Sequence, residues 1–267
     1  MADLAALTRE IDDRIWYHTI DLPGGIATPG EYDHRSTVGK VLLPTSLAGK
    51  RCLDVGTHDG FWAFLMEKRG ASEVVAIDID DPTKLDWPGP PKHLESTELE
   101  VVGKRRRAFD IAHEALESKV DRRSVSVYDL DPADVGTFDQ VFLGTLLHHL
   151  RDPIRALRAI RTVTTGSFVV TGVIDLPTSI MHPRKPMLEL MGVNAPFWEV
   201  PNRAGLLRQL TSAGWAIDEV TRPFLQAYGK GWKAPKVDLR PQAWVRLPSR
   251  ALLQWGALHI SVRVHPA

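Results

Sequence analysis

Cysteine is almost missing from this chain: Cys52 is the only one in 267 residues, so no internal disulfide can form. It sits inside an apolar run, where a thiol is buried and inert rather than reactive. A surplus of either charge is missing too. The 33 Lys and Arg balance 33 Asp and Glu, whereas a protein that works by gripping nucleic acid carries a basic excess. No run is long and apolar enough to span a bilayer. The opening "MADLAALTREIDDRIWYH" lacks a basic start followed by an apolar run, which argues against a secretory signal. A cytoplasmic protein is expected. Internal repeats and low-complexity tracts are absent, and no carboxylate, His or Cys cluster has a metal-ligand spacing, so no metal is expected. What remains is an ordinary globular composition, 43% hydrophobic and 25% charged, of a length that suits one large domain.

Apolar periodicity divides the chain into alternating elements. Leu4, Leu7, Ile11 and Ile15 recur at helical spacing, which predicts a first helix reaching Tyr17. "DLPGGIATPGEYD" (21–33) is Gly- and Pro-rich and predicts loop. A short strand at 51–55 leads to a helix that Gly70 ends, and "SEVVAIDI" is a second strand. A Pro-rich insertion (81–97) precedes a helix in "GKRRRAFDIAHEALESK" and a third strand in "RSVSVYDLDP". "TFDQVFLGTLLHHL" holds a fourth strand, "DPIRALRAIRTV" a helix with Pro153 near its start, and "GSFVVTGVID" a fifth strand. A helix capped by Asn202 and two strands, "WAIDEVTRP" and "GALHISVRVH", complete the order. Strand–helix alternation predicts an α/β fold with a mostly parallel sheet covered on both faces, closed by an antiparallel last pair. Residues 1–36 read as an N-terminal helical arm or lid, and 37–267 as the main domain.

The first two strands end in Asp54 and Asp78, on either side of Gly56 and Gly60. In such sheets ligands bind beyond the carboxyl ends of the strands. An acid ending the second strand accepts hydrogen bonds from ribose hydroxyls. "DVGTHDG" lacks the full glycine set of a pyrophosphate loop, and Asp54 would repel a pyrophosphate but attract an ammonium group. A nucleoside with an amino group and no phosphate fits, which favours S-adenosylmethionine (SAM) over NAD.

"LDVGTHDG", "VVAIDID" and "VSVYDLDP" resemble the first three motifs of class I SAM-dependent methyltransferases, over nearly all the chain from Thr37. The resemblance implies a Rossmann-like seven-stranded sheet. It also implies that Asp54, Gly56 and Gly60, with Thr57, line the methionine part. Asp78, with Ile79, would hold the ribose; Tyr128, Asp129 and Leu130 would flank adenine; Gly144 and Thr145 would lie beneath the sulfonium.

"FDQVFLGTLLHHLRDPIRAL" with "NAPFWEVPNRAGLLRQLTSAGW" is similar to the relatives of the bacterial tRNA wobble-uridine carboxymethyltransferase family. In that family a Lys in the N-terminal arm, a Tyr after strand four and an Arg in the last strand hold the extra carboxylate of a carboxylated SAM. Here His148 takes the Tyr position, "WYHTIDLPGG" has no Lys, and Gly256 falls about where the Arg would be. A carboxylate buried without those partners is poorly solvated, so ordinary SAM and plain methyl transfer are expected.

His148 follows strand four and is the first candidate general base, with His149 and His18 next. Trp16, Tyr17, Asn194, Phe197 and Trp198, with Trp232, are candidates for an acceptor pocket rim, since all lie outside the strands. Arg151, Arg155, Arg158 and Arg161 form a helical stripe, read here as a solvated face rather than an RNA surface. The expected partner is a small hydroxylated acceptor, a sugar or natural product. An RNA methyltransferase and a non-catalytic SAM-binding regulator are the alternatives.

Overall fold

The computed structural model describes residues 4–86, 96–191, 197–233 and 256–267, with backbone alone over 96–105. One large sheet carries the fold. Its central strands are β3 (Arg51–Val55), β4 (Glu73–Asp78), β5 (Asp121–Ser124), β6 (Phe138–Gly144) and β7 (Thr164–Val173), all mutually parallel. β12 (Ala257–Pro266) runs antiparallel between β7 and β10 (Trp215–Val220), giving the order β10-β12-β7-β6-β3-β4-β5. An eighth strand, β11 (Phe224–Gln226), pairs with the start of β12 and was not expected.

The parallel strands are continuous apolar runs because both faces are covered. On one face Leu53, Val141, Phe168 and Val262 pack with Leu157 of α5 (Pro153–Thr162) and Leu206 of α7 (Arg203–Ser212). On the other, Cys52, Val74 and Phe142 pack with Met66 of α2 (Phe61–Lys68) and Phe109 of α3 (Ser96–Ala115). Burial pushes the Cys52 thiol up to about 12, which suits packing and not reactivity. The caps follow the sequence. Asp152 accepts from Arg155 N at 2.9 Å ahead of Pro153, and fully buried Asn202 accepts from Gly205 N at 2.7 Å. No described helix is long and apolar enough to cross a membrane.

Several boundaries differ from expectation. α1 (Leu4–Asp12) stops short of Tyr17, because Trp16 turns inward and its indole N–H donates to the Ile11 carbonyl at 3.0 Å. The third strand ends at Ser124, and Val127–Asp129 forms a 3-10 turn that Ser126 caps. α3 begins at Ser96, inside the stretch expected to be irregular.

The arm is more ordered than its glycines and prolines suggest. β1 (Asp21–Leu22) pairs with β2 (Ile26–Ala27), and bridges join His18 to Tyr32 and Tyr32 to Tyr228. Three glycines let these backbones touch. A Cβ at Gly30 would lie 2.1 Å from the His18 carbonyl carbon; at Gly229 and Gly231 it would lie 2.2 Å from the carbonyl oxygens of Gly30 and Pro29. Gly229 N donates to Glu31 O at 2.8 Å and Gly231 N to Gly30 O at 2.9 Å.

Candidate cofactor and acceptor site

The carboxyl ends of β3, β4, β6 and β7 converge, and antiparallel β12 brings its first residues to the same edge. β3 lies where the strand order reverses, between β4 and β6, which is the ligand position of an open α/β sheet.

Asp54 is 1% exposed, and among the described residues its Oδ2 has no hydrogen-bond partner. Burial, with some help from Asp78, pushes its carboxyl up to about 7 against the opposing pull of Thr57 and His18. An orphaned buried carboxylate is what an ammonium group would satisfy. The turn after it is tied to β4 by Gly56 N and Thr57 N, which donate to the Ile77 carbonyl at 2.9 and 3.0 Å. Gly56 has φ 76°, and a Cβ there would meet Leu146 at 2.9 Å, so the backbone comes close with no side chain between. Gly60, at φ 94°, opens α2.

Asp78 accepts from His58 N and Ile79 N, each at 2.7 Å. It lines a cleft with His58, Ile79, Asp80, Leu85, Arg106 and Arg122, and a carboxylate accepts several hydrogen bonds at once. Arg106 and Arg122 are bound to Asp80 at 2.8 and 2.7 Å and frame the cleft beside Asp78.

Tyr128 makes a contact that its motif does not suggest. Its hydroxyl donates to Asp86 at 2.5 Å and accepts from Asp152 N at 3.0 Å, with Arg155 4.9 Å over the ring. Trp198 Nε1 donates to the Asp86 carbonyl at 2.9 Å, so Asp86 ties the two aromatics together. Asp129 N donates to Ser126 O, and Leu130 is buried in the core.

Gly144 ends β6, and Thr145 follows it at φ 56°. That is a costly conformation for a β-branched residue, of the kind retained at functional sites. Its amide donates to the Thr171 carbonyl at 2.7 Å, and its hydroxyl meets His259 Nε2 at 3.2 Å. His259 Nδ1 in turn lies 2.8 Å from the Ala257 carbonyl, so Nδ1 carries the proton and Nε2 accepts. Burial lowers the His259 imidazole to about 4.

His148 and His149 occupy a 3-10 turn with their rings 4.1 Å apart, and Phe197 lies 5.1 and 5.6 Å from them. His148 is held well below the usual histidine range, first by burial and then by His149 and His259. It lines a small cavity with Gly172, Val173, Glu199 and Gln209.

On the other side of the turn, His18 Nδ1 pairs with Asp59 Oδ1, and Asp59 Oδ2 accepts from Tyr17 N and His18 N, each at 2.8 Å. Tyr17 packs 4.7 Å from His58 and 5.0 Å from Tyr32. Trp16 belongs to the core at 2% exposure, not to a rim. Trp232 stacks on Tyr228 at 4.0 Å. Asn194 lies outside the described residues. Among the described residues no three His, Cys, Asp or Glu side chains gather as a metal-ligand set.

Sequence reasoning missed Asp59 and His259. Asp59 stood inside the quoted "DVGTHDG", and its signal was an unexplained acid in a glycine turn. His259 had no local signal, since only the strand order brings it to Thr145.

These features define the class: the fold is that of the SAM-dependent methyltransferases, and S-adenosylmethionine is the cofactor. A family model described as a methyltransferase domain matches residues 33–220, and the chain belongs to that family. Among curated proteins it is 27% identical over 164 residues to a tRNA U34 carboxymethyltransferase of Helicobacter acinonychis, covering 60% of this chain and 55% of that one. It is 24% identical over 208 residues to a ubiquinone biosynthesis O-methyltransferase of Acinetobacter baumannii, covering 72% and 75%. The chain thus spans just over half the length of the carboxymethyltransferase relative. A crystal structure of the N-terminal domain of EvdMO1 with SAH bound superposes at a TM-score of 0.55 and 16% identity, covering 100% of this chain and 98% of that one.

A proton should leave when the cofactor binds. Between about pH 4 and 7 the folded, unliganded protein holds a proton on Asp54 that the unfolded chain has lost, so its stability falls as pH rises through that window. An ammonium beside Asp54 favours the ionised form. SAM affinity should therefore rise as pH increases toward 7 and level off above it. Calorimetry at pH 6 in two buffers of different ionisation enthalpy checks this, and the difference should vanish in Asp54→Asn.

Proposed function

We propose that the protein transfers a methyl group from SAM to a hydroxyl of a small acceptor, such as a sugar or phenolic natural product. The observation that carries this reading is the character of the methyl end. His18, His148, His149, His259, Tyr17 and Phe197 are the groups proposed to face it, and the Lys, Tyr and Arg that hold a second carboxylate in the carboxymethyltransferase pattern are missing from their positions in the sequence. A side chain at Gly256 would meet the Gln226 carbonyl oxygen at 2.3 Å, so no Arg fits there. The proton of the acceptor hydroxyl passes to one of the candidate bases His148, His149 and His18. Tyr17, Phe197 and Trp198 are the proposed acceptor contacts.

The arginine stripe supports the small-molecule reading over RNA. Arg151 sits 5.1 Å over Trp198 and Arg155 over Tyr128, and Arg161 donates to the carbonyls of Gly214 and Ala267. Three of the four are engaged within the chain. The relatives named for tRNA and for ubiquinone biosynthesis keep both acceptor classes in view.

The test is calorimetry with SAM and SAH, followed by mass spectrometry of a panel of sugars, phenols and unmodified tRNA incubated with SAM. A methyl increment on a hydroxylated small molecule is expected. Tighter binding of carboxylated SAM than of SAM, or modification of tRNA alone with steep salt dependence, would overturn the proposal.

A further inference from the structure

We propose that His18, delivered by the N-terminal arm and oriented by Asp59, is the proton acceptor of the transfer, with Asp59 as its positioning residue; this rests on the O-methyltransferase reading above.

Asp59 is fully buried and bound from three sides: the imidazole Nδ1 at one oxygen, the amides of Tyr17 and His18 at the other. A carboxylate so held cannot rotate away. Its carboxyl lies at about 2; burial opposes this, but the charges and hydrogen bonds of His18, helped by His58, outweigh it. Asp59 is therefore ionised and accepts only. Nδ1 of His18 must carry the proton, which leaves Nε2 as the basic nitrogen.

The placement is as telling as the tautomer. Asp59 belongs to the same five-residue turn as Gly56, whose bare backbone backs the cofactor. The base and the methyl donor are thus referenced to one turn, across a sequence separation of 41 residues. The groups around His18 suit the charge it would gain. Asp59 touches it. The rings of Tyr17, His34, Phe61 and His58 lie 4.8, 5.0, 5.6 and 6.2 Å away. His34 is held well below the histidine range by burial, and after that by His18 and His259, so it brings no competing positive charge. Among the described residues no carboxylate pairs with His148 or His259, and burial holds both low. They stay neutral, and neither has a carboxylate to fix its tautomer as Asp59 fixes that of His18.

The step balances. The acceptor oxygen bonds to the methyl carbon as the carbon–sulfur bond breaks, sulfur keeps the pair, and the hydroxyl proton passes to His18 Nε2. The resulting imidazolium lies against Asp59 until solvent takes the proton.

Two substitutions separate this role from mere docking of the arm. His18→Asn keeps a side-chain N–H near the Nδ1 position for Asp59 but has no Nε2. It should lower kcat by about 10²–10⁴-fold, leave SAH affinity within a few-fold, and remove the fall of kcat on the acid side of the pH profile. Asp59→Asn should lower kcat with little change in acceptor KM, and Asp59→Glu should recover part of it. Wild-type turnover in His18→Asn, or the same loss appearing in His148→Ala instead, would overturn the proposal. Nitrogen-15 NMR of the wild-type SAH complex gives a readout independent of the acceptor. His18 should show a protonated Nδ1 and a bare Nε2, and the reverse tautomer would also overturn it. If no panel compound is methylated, the O-methyltransferase reading fails, while the tautomer measurement still decides the pair.

Discussion

Asp59→Ala is expected to cost about 3–5 kcal/mol of stability, the scale for removing one partner of a buried charged pair. The loss has three parts. The amides of Tyr17 and His18 lose their acceptor, and the buried imidazole of His18 loses its carboxylate. Water cannot replace these contacts while the arm stays seated, since His18 is 4% exposed and Asp59 fully buried. The arm should therefore lift from the turn rather than stay and bear the penalty. Denaturant unfolding should show a lower midpoint, and limited proteolysis should cut between residues 13 and 35. The effect has a pH signature. The folded carboxyl lies at about 2, below its ordinary 3.8, so the contribution is present above about pH 4 and is lost as pH falls toward 2. The gap between wild type and variant should narrow in acid. An unchanged midpoint at pH 7 would show that the arm is held by other contacts.

Asp78→Ala should weaken both SAM and SAH by about 1–3 kcal/mol, the range for hydrogen bonds to a charged group. Calorimetry then reads a loss of about 5- to 150-fold. Two contributions act together. Ribose hydroxyls lose their acceptor, and the amide of His58, held to Asp78 at 2.7 Å, is released. Asp78→Asn separates them, since its carbonyl oxygen still accepts from His58 N while the charge is gone. Unchanged SAM affinity in Asp78→Ala would sink the ribose assignment.

The acidic strand ends and the glycine turn between them were legible because their determinants are local. Strands β3 and β4 are continuous apolar runs, each carrying an acid at or near its end, and the turn between them shows its glycines. The grouping of histidines and aromatics beyond the strand ends was not, because these residues meet only through the fold. His259 reaches Thr145 across 114 residues, through a strand that runs against its neighbours. Trp16 lay on an irregular segment and read as a rim residue, but its indole found the Ile11 carbonyl and the core. Tyr128 kept its motif position, yet its hydroxyl found Asp86, 42 residues away in the Pro-rich insertion. β11 was invisible for a simpler reason. Three residues after Pro223 carry no period of their own, and β12 alone makes them a strand.

The glycine contacts between the arm and residues 229–231 bear on the order in which the site is made during synthesis. The arm leaves the ribosome ahead of its seat at Asp59, which follows soon after. The backbone that covers Gly30 comes about 200 residues later, which at about 5–20 residues per second is roughly 10–40 seconds. For that interval the nascent arm has a latch and no cover. Until the 229–231 segment is made, the growing chain keeps Gly30 open to solvent and to chaperones.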